Sequence, residues 1–385
     1  MKYEEKKLSE LVDTISDTRK IDKDKVVLVN TSDVLAGEVL NHTYTENCNL
    51  RGQFKKRFKT DDILYSEIRP ANKRFAYIDF DSEDYIASTK LMVLRRKSDK
   101  ITNKYLYYCL TNDLFVDRMQ HLAEARSGTF PQITFDVLKG ETIYLPSIAN
   151  QNKITSILDN INNKIRLNNE INNNLYEMCN IIYHQLLDDN ESNIEYKTIG
   201  EIAKKVITGK TPSTKNKEYW GGNIPFITIP DMHNQVFTIN TERYITKEGA
   251  KSLVPKNSIS VSCIATVGLV SINDKDSQTN QQINSIVIEN DYDLYYLFEF
   301  LTEQEQYMKS IAGGSTTYNI NKNTFENIQV PYLNKELIIE YDKKVRPMFE
   351  KIKSNQISND TLSQLRDILL PKLMNGEIDL DNIEI

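Results

Sequence analysis

Residues 154–186 read ITSILDNINNKIRLNNEINNNLYEMCNIIYHQL, and this stretch decides the fold. Its apolar side chains recur at spacings that alternate between three and four residues, the heptad pattern of a helix that packs against another helix. A later segment repeats the pattern, and both segments carry two asparagines at seam positions. The predicted seam residues are Ile154, Leu158, Ile161, Ile165, Asn168, Asn172, Leu175 and Ile182 in the first helix, and Met348, Ile352, Asn355, Asn359, Leu362 and Leu369 in the second.

We expect the two helices to pair with each other as an antiparallel coiled coil. An asparagine in a helix seam lowers stability but fixes the register and the partner. The alternative is two ordinary amphipathic helices whose asparagines reflect composition alone. We favour pairing, because both polar layers recur in the second helix. Antiparallel helices would place two globular domains at opposite ends of a rod, related by a pseudo-two-fold axis.

The rest of the chain is duplicated as well. Asp62–Ile68 near the start corresponds to Ser258–Ile264, and further matches follow in the same order. Each copy contains short β-rich runs between Asn, Asp, Gly and Lys clusters, with one helix-like stretch at Lys104–His121 or Asp293–Ile311. The clearest strand predictions are Lys25–Val29, Ile63–Ile68, Leu91–Arg95 and Ile259–Ile264.

The predicted fold class is α+β, with two tandem α+β domains that are each followed by a long α-helix. A length of 385 residues suits two cores. The predicted boundaries are 1–146 for the first domain, 147–190 for the central coiled-coil helix, 191–331 for the second domain, and 332–385 for the C-terminal coiled-coil helix and tail.

Composition excludes several classes of protein. The formal net charge of −6 argues against a chain coated in nucleic acid, although it leaves room for local basic faces. Apolar runs are too short for a membrane span, and the N-terminal residues lack a signal-peptide core, so we expect a cytoplasmic location and no membrane partner. The four cysteines and four histidines are scattered, so we expect neither a disulfide framework nor a metal site.

No enzyme motif is present in the sequence. Glycine-rich nucleotide loops and nucleophile elbows are missing, and Asn223–Phe226 resembles a methyltransferase motif only superficially. The carboxylates at Asp79–Asp81 and Glu83–Asp84 lack the following ExK of a nuclease, so we interpret them as solvated turns. A fused methyltransferase or nuclease would require a cofactor motif that is not there. We therefore predict no catalytic residue, no metal and no cofactor on this chain.

Basic residues collect in segments that suit a DNA-reading face. The segment RGQFKKRFK at 51–59 interleaves cations with aromatics, and RPANKR at 69–74 follows a predicted strand. The segment TGKTPSTK at 208–215 is a Gly/Pro loop rich in small donors, and we expect the nearby Trp220 in the core. A solvated loop is the alternative for each segment. The candidates, which include small-residue loops after the helical stretches, are Arg51, Lys55, Lys56, Arg57, Arg69, Lys73, Arg74, Ser127, Thr129, Lys210, Thr211, Ser213, Lys215, Ser315 and Thr316.

Gly209–Ser213 and Tyr219–Ile227 resemble the opening of a target recognition domain in specificity (S) subunits of type I restriction-modification systems. The domain exit at Leu145-Pro146 and the C-terminal Leu369–Ile378 resemble the same family. The likeness covers essentially the whole chain, including its two-copy layout. The first domain departs from the pattern, because Thr18-Arg19-Lys20 stands where Gly-Lys-Thr-Pro is expected.

The resemblance implies a non-catalytic DNA-reading subunit. Each domain would read one half of a split, asymmetric site in double-stranded DNA from the major groove. The paired helices would act as a spacer and would dock two methyltransferase (modification) subunits, which would bring S-adenosylmethionine. Restriction and translocase subunits, if present, would add ATP-driven cleavage. Ile157, Leu167, Ile171 and Ile181 lie off the seam, and exposed apolar rows of this kind suit a protein partner.

A second interpretation is a non-catalytic coiled-coil scaffold whose end domains bind proteins. The acidic isoelectric point of about 5.5 favours it. Sequence-selective, salt-sensitive DNA binding by the chain with its methyltransferase partner would distinguish the two interpretations.

Overall fold

The computed structural model describes residues 3–126, 128–233, 235–313 and 318–380. The chain forms two compact units. Unit 1 contains Met1–Asn163 with Ser363–Ile385, and unit 2 contains Lys164–Leu362. Both divisions fall inside long helices, so each unit combines a β-rich domain with parts of both helices. The domain boundaries expected from the sequence lie at the helix ends and stay a prediction.

The β-rich part of unit 1 contains two four-stranded sheets, in the orders β6-β3-β10-β7 and β2-β11-β8-β9. Strand β1 pairs with β12, and β4 pairs with β5. The strands are β1 Glu4–Lys7, β2 Val12–Ile15, β3 Lys25–Val29, β4 Val34–Leu35, β5 Glu38–Val39, β6 Tyr44–Glu46, β7 Phe54–Lys56, β8 Ile63–Ser66, β9 Phe75–Tyr77, β10 Tyr85–Ser88, β11 Leu91–Arg96 and β12 Thr142–Leu145. The helices are α1 Leu8–Leu11, α2 Asn103–Thr111, α3 Asp113–Arg126, α4 Phe135–Leu138 and the start of α5 Ile148–Asp189.

Strand β8 shows why this unit needs two cores. All four of its side chains are buried, so both faces of the strand are covered. Ile63 and Tyr65 point into a core shared with helices α2 and α3. Leu64 points to the opposite face, into a second core that includes Val27 and Val93. The alternation of side chains along a strand thus joins two apolar clusters through one short segment.

Unit 2 contains a five-stranded sheet in the order β14-β22-β19-β20-β16 and a four-stranded sheet in the order β17-β15-β21-β18, while β13 pairs with β23. Its strands are β13 Glu195–Thr198, β14 Ala203–Thr208, β15 Trp220–Ile227, β16 Phe237–Thr238, β17 Arg243–Ile245, β18 Leu253–Val254, β19 Ile259–Ser262, β20 Val270–Asn273, β21 Ser277–Thr279, β22 Ile283–Ile288 and β23 Gln329–Tyr332. Its helices are α6 Ile199–Ile202, α7 Asp293–Thr302, α8 Glu305–Ile311, α9 Lys322–Glu326 and most of α10 Lys335–Met374.

The two units repeat one topology. The order β2-β11-β8 in unit 1 has its counterpart in β14-β22-β19 of unit 2, and all of these pairings are antiparallel. The outer pair β1–β12 likewise corresponds to β13–β23. The fold class predicted from the sequence, two tandem α+β domains that are each followed by a long helix, is confirmed.

The helix-like stretch of each domain is two helices and not one, so this prediction was wrong. In unit 1 the break is at Asn112, whose Nδ2 donates to the Cys109 carbonyl at 2.7 Å. The Oδ1 of the same side chain accepts a hydrogen bond from the Phe115 amide at 3.0 Å. One asparagine therefore ends α2 and begins α3. In unit 2 the break falls between Thr302 and Glu305.

Within unit 2, the long helices α5 and α10 are joined through their asparagine layers. Asn168 Nδ2 donates to Asn359 Oδ1 at 2.7 Å, and Asn355 Nδ2 donates to Asn172 Oδ1 at 2.8 Å. From residue 168 to residue 172 of α5, the partner on α10 changes from residue 359 to residue 355. Residue numbers that rise on one helix and fall on the other indicate antiparallel helices. Each buried amide thereby gains a hydrogen bond that a slipped register would break.

Within unit 1, the start of α5 and the end of α10 enter the same core. Ile154, Leu158 and Leu373 are buried together in that cluster. The chain continues past α10 into the core, where Leu380 is 1% exposed. The C-terminal segment is therefore a structural part of the unit that contains the N-terminal domain.

The long helices also bury side chains that lie off the heptad seam. Tyr183 and Phe349 are almost fully buried, and the Phe349 ring stacks on Tyr295 with centroids 4.2 Å apart. These side chains cover the domain core of unit 2, so each helix has a second apolar face that the heptad pattern does not predict. Several seam residues are only half-buried, namely Ile165, Asn172, Leu175, Ile182, Met348, Asn359, Leu362 and Leu369.

Candidate nucleic-acid interface

The loop that follows β8 has an unusual backbone. A single 3₁₀ turn at Pro70–Asn72 lies between Arg69 and Lys73, whose φ angles are 44° and 52°. Side chains other than glycine rarely adopt this left-handed conformation, and it persists only where the surroundings enforce it. Strained positions of this kind cluster at functional sites. The Arg69 side chain is exposed, and its guanidinium has no hydrogen-bond or ion-pair partner among the described residues.

A second loop, which follows α3, holds the Arg69 loop in place. The Arg69 amide donates to the Pro131 carbonyl at 3.0 Å, and the Ile133 amide donates to the Glu67 carbonyl at 2.9 Å. The predicted Thr129 is exposed on this second loop, so the structure brings two predicted residues, Arg69 and Thr129, to neighbouring loops. The predicted Ser127 lies outside the described residues.

Unit 2 contains the same pair of loops. Ala265 follows β19 with a φ of 64°, and its amide donates to the Tyr318 carbonyl at 3.0 Å. The Ile320 amide donates to the Cys263 carbonyl at 2.9 Å, as Ile133 does to Glu67 in unit 1. The predicted Ser315 and Thr316 lie outside the described residues. Sequence reasoning missed Ala265, although the correspondence between 62–68 and 258–264 leads directly to it.

The other two cations of the Arg69 loop have structural contacts. Lys73 Nζ lies 2.6 Å from Asp113 Oδ1 in an exposed ion pair. Arg74 Nη1 donates to the Ser32 carbonyl at 2.9 Å and to the Val34 carbonyl at 3.2 Å. Arg74 therefore ties the loop to a neighbouring turn, and Arg69 is the most available of the three cations.

The segment 51–59 divides in a similar way. Arg51 and Lys55 are exposed, while Arg57 is half-buried. Lys56 Nζ donates to the Thr89 and Leu91 carbonyls, both at 2.8 Å, and burial lowers its pKa. The basic side chains of this segment therefore differ in role. Arg51 and Lys55 are exposed to solvent, whereas Lys56 holds β7 to the sheet through its hydrogen bonds.

The loop after β14 in unit 2 presents Lys210, Thr211, Ser213 and Lys215, which are all exposed. Its backbone is closely packed, because a Cβ at Gly209 would lie 2.0 Å from the Asn280 carbonyl oxygen. No side chain fits there, and glycine is required. The loop therefore displays small hydroxyls and lysines from a fixed backbone, a composition that suits phosphate and base contacts.

Trp220 lies beside this loop and is half-buried, whereas the sequence favoured a core position. Its Nε1 donates to the Ser213 carbonyl at 3.2 Å, and the Arg243 guanidinium lies 3.6 Å above the ring centroid. A cation stacked on an indole in this way is held in a defined orientation. Sequence reasoning missed Arg243, because its role depends on strand pairing between β15 and β17.

Metal-binding clusters and membrane-spanning helices are both absent from the described residues. These residues contain no group of three or more His, Cys, Asp or Glu side chains that could hold a metal ion. No helix among those residues is long and apolar enough to cross a membrane.

The family model and the similar proteins that match this chain all describe the same family. The model of the type I restriction modification DNA specificity domain matches residues 1–177 and 191–365. The type I restriction enzyme HindI specificity subunit of Haemophilus influenzae is 36% identical, over 92% of this chain and 94% of that protein. The EcoR124I/EcoR124II specificity subunit of Escherichia coli is 29% identical, over 72% of this chain and 70% of that protein.

One solved structure supports the same fold. The crystal structure of the type I restriction-modification system S subunit from M. genitalium superposes with a TM-score of 0.60. It is 16% identical in sequence, and the match covers 97% of this chain and 96% of that one. At this level of identity the likeness concerns the fold alone.

Proposed function

The chain belongs to the family of type I restriction-modification specificity subunits, and we propose that each of its domains reads one half of a split, asymmetric DNA site. The reading would take place in the major groove, where every base pair presents a distinct pattern of donors and acceptors. On this proposal the first domain spans 1–146 and the second spans 191–331. The subunit would act on double-stranded DNA in the cytoplasm.

The observation that carries the proposal is the loop pair that occurs in both units. A left-handed residue follows the equivalent strand in each, and the same two backbone hydrogen bonds fix it. The side chains differ, with Arg69 in the first domain and Ala265 in the second. A common backbone with different side chains is what two readers of different half-sites require.

We further propose that the long helices dock methyltransferase subunits, two in number. Leu167, Ile171 and Ile181 are 46%, 41% and 63% exposed, which leaves apolar side chains facing solvent along α5. Ile157, which was expected in this row, is instead packed against the core of unit 1. On this proposal the chain itself is non-catalytic. Its partners would supply S-adenosylmethionine, and restriction subunits, if present, would supply ATP-driven cleavage.

The competing scaffold interpretation makes a different prediction about DNA. A protein-binding scaffold with an acidic isoelectric point has no reason to discriminate between duplexes. A specificity subunit in complex with its methyltransferase should bind a defined duplex far more tightly than a random one, and its affinity should fall as salt rises.

Arg69→Ala tests the proposal at the loop pair. Alanine occupies the equivalent left-handed position at Ala265, so the substitution is compatible with the backbone. We expect either a relaxed preference at one base of the first half-site, with a loss of roughly 1 to 3 kcal/mol, or a salt slope lower by about one. The second half-site should keep its preference in both cases.

The measurement is duplex binding by the complex of the chain with its methyltransferase at several salt concentrations. Lys25→Ala is the control, because Lys25 is an exposed lysine of the same domain that pairs with Glu46 at 3.7 Å. If Arg69→Ala behaved like the control, the loop would be a solvated turn. If the wild-type complex did not discriminate between duplexes at all, the scaffold interpretation would stand.

A further inference from the structure

A cavity of about 520 Å³ opens on the surface of the first domain. Its lining includes Asp17, Arg57, Lys59, Asp81 and Arg95. Ligand pockets in proteins have volumes of this order. Arg57 was predicted from the sequence to touch DNA, and Lys59 belongs to the same basic segment 51–59, whereas Asp17, Asp81 and Arg95 were not among the candidates.

The walls of the cavity are fixed by ion pairs. Arg95 Nε and Nη2 donate to the two carboxylate oxygens of Asp62 at 2.6 and 2.7 Å, and Asp62 is fully buried. Arg19 makes a similar two-pronged contact with Asp17, at 2.9 and 2.6 Å. The Arg19 guanidinium holds the pKa of the Asp17 carboxyl well below its usual range. Both acids are therefore already occupied by arginines.

The segment that carries Arg57 and Lys59 is also fixed along its backbone. The Arg57 amide donates to the Asp17 carbonyl at 2.8 Å, and the Lys59 amide donates to Asp62 Oδ2 at 2.9 Å. The side chains of Arg57 and Lys59, in contrast, have no hydrogen bond and no ion pair within 4 Å among the described residues. The Arg57 guanidinium acts on the Asp17 carboxyl only through its charge, which helps to lower the pKa of that carboxyl. A rigid backbone with two cations that lack a direct side-chain partner is preorganised for a ligand, because little freedom is lost on binding.

The charges around the cavity indicate what the ligand is. Asp81 is exposed on the lining, and only its Oδ1 is engaged, by the Glu83 amide at 3.2 Å. A phosphate offers acceptors only, so this carboxylate would have no donor to pair with. A base pair presents acceptors and amino donors side by side, and arginine or lysine pairs with guanine O6 and N7 while aspartate accepts from cytosine N4. Glu83 also lines the cavity, but its Oε2 lies 3.9 Å from Lys23 Nζ in an ion pair. Arg57 and Lys59 as donors, with Asp81 as the lining carboxylate that has no ion pair among the described residues, therefore match the two acceptors of guanine and the amino donor of cytosine.

We propose that this cavity reads the major-groove edge of one G·C base pair in the first half-site, with Arg57 and Lys59 as donors to guanine and Asp81 as acceptor from cytosine. The inference rests on the proposed function, since it assumes that the first domain faces DNA. Arg19, which belongs to the segment Thr18-Arg19-Lys20 where this domain departs from the Gly-Lys-Thr-Pro pattern, also lines the cavity.

The experiment is selection from a random duplex pool by the chain in complex with its methyltransferase partner. The wild-type complex should select a motif with two halves, and one half should contain the G·C pair. Arg57→Ala should reduce discrimination at that pair from roughly 5- to 150-fold to nearly none. Asp81→Asn should weaken the preference at the same position. The other half-motif should stay unchanged in both variants.

Two further variants separate specific effects from general ones. Arg57→Lys keeps the charge but loses the planar fork of donors, so it should show an intermediate loss at the same pair. Lys25→Ala should select the wild-type motif. Thermal unfolding of each variant shows whether the fold is retained, and Arg57→Lys serves as the decisive variant if Arg57→Ala does not fold.

Each other outcome has a distinct meaning. An unchanged motif with all variants would overturn the proposal, and so would an A·T pair at the affected position. Uniformly weaker binding with a lower salt slope and the same motif would identify a phosphate contact and overturn it as well. A wild-type complex that selects no motif would instead count against the proposed function itself.

Discussion

Glu299→Gln is expected to make unit 2 more stable, by an amount that grows as the pH rises. Glu299 lies on α7 and is fully buried. Neither of its carboxyl oxygens has a hydrogen-bond partner among the described residues. Asn180 donates to Glu303 at 2.8 Å and Tyr176 donates to Thr302 at 3.0 Å. Both groups lower the pKa of the Glu299 carboxyl in part, but burial outweighs them. A buried carboxyl with so little hydrogen bonding favours its neutral form.

Burial raises the pKa of Glu299 from its ordinary value of 4.5 to about 8, and the neighbouring Glu303 adds to the increase. The groups that face Glu299 from α5 and α10 include Cys179, Tyr183 and Tyr341, which bring no positive charge. Ionising the folded state therefore costs up to about 5 kcal/mol more than ionising the unfolded chain, at about 1.4 kcal/mol per pH unit of difference.

The direction of the pH dependence follows from the raised pKa. Below about pH 4.5 the carboxyl is neutral in both states, and its full contribution to stability is present. Between about 4.5 and 8 only the unfolded chain ionises, so the free energy of unfolding should fall by about 1.4 kcal/mol per pH unit. Above about 8 both states are ionised, and the loss stops. Glutamine cannot ionise, so the variant should lack this dependence.

The assay is urea unfolding followed by circular dichroism at several pH values between 5.5 and 8.5. The difference in unfolding free energy between Glu299→Gln and wild type should widen by about 1.4 kcal/mol per pH unit as the pH rises towards about 8, and should then level off. Glu340→Gln is the control, because Glu340 is an exposed glutamate on α10 that pairs with Lys344 at 3.0 Å. Parallel pH profiles for wild type and Glu299→Gln would instead show that Glu299 is ionised or solvated in the folded state.

Three further predictions concern the long helices. Leu373→Ala should destabilise unit 1 by about 2 to 5 kcal/mol in thermal or urea unfolding, whereas Leu365→Ala, at a position 43% exposed, should have little effect. One extra heptad after Asn168 and another after Asn355 should keep the seam facing inward and add roughly 10 Å of helix. Sequencing of methylated DNA should then show both half-motifs with a gap longer by about one to three base pairs, and an unchanged gap would show that the helices do not set it. Ile181→Glu should weaken co-elution with the methyltransferase in gel filtration without changing the unfolding midpoint.

The duplication and the paired helices could be predicted because both are visible in the local spacing of residues along the chain. Asn168 and Asn172 interrupt an apolar heptad at fixed spacing, and the second copy repeats both. An antiparallel arrangement then joins Asn168 to Asn359 and Asn172 to Asn355, as the structure shows. Local periodicity contains enough information for this level of the fold.

The remaining features depend on contacts between distant segments. Phe349 lies off the seam and is buried because it stacks on Tyr295, a partner that no helix pattern specifies. The helix break at Asn112 depends on how one asparagine caps two helices at once. Composition also could not separate Lys56, which fastens a strand through two carbonyls, from the exposed Lys55 beside it. The sequence therefore predicted which segments form the candidate site, but it did not predict the contacts of the individual side chains.

If this chain supplies the sequence specificity of a DNA-modifying complex through two separate domains, the methylated motif in the cell should depend on it. The decisive measurement is genome-wide detection of methylated adenine in cells that contain the methyltransferase with and without this gene. We predict a motif of two short halves around a fixed unread gap, present only when the gene is present. A continuous motif, or the same methylated motif in cells that lack the gene, would show that the two domains of this chain do not set the specificity.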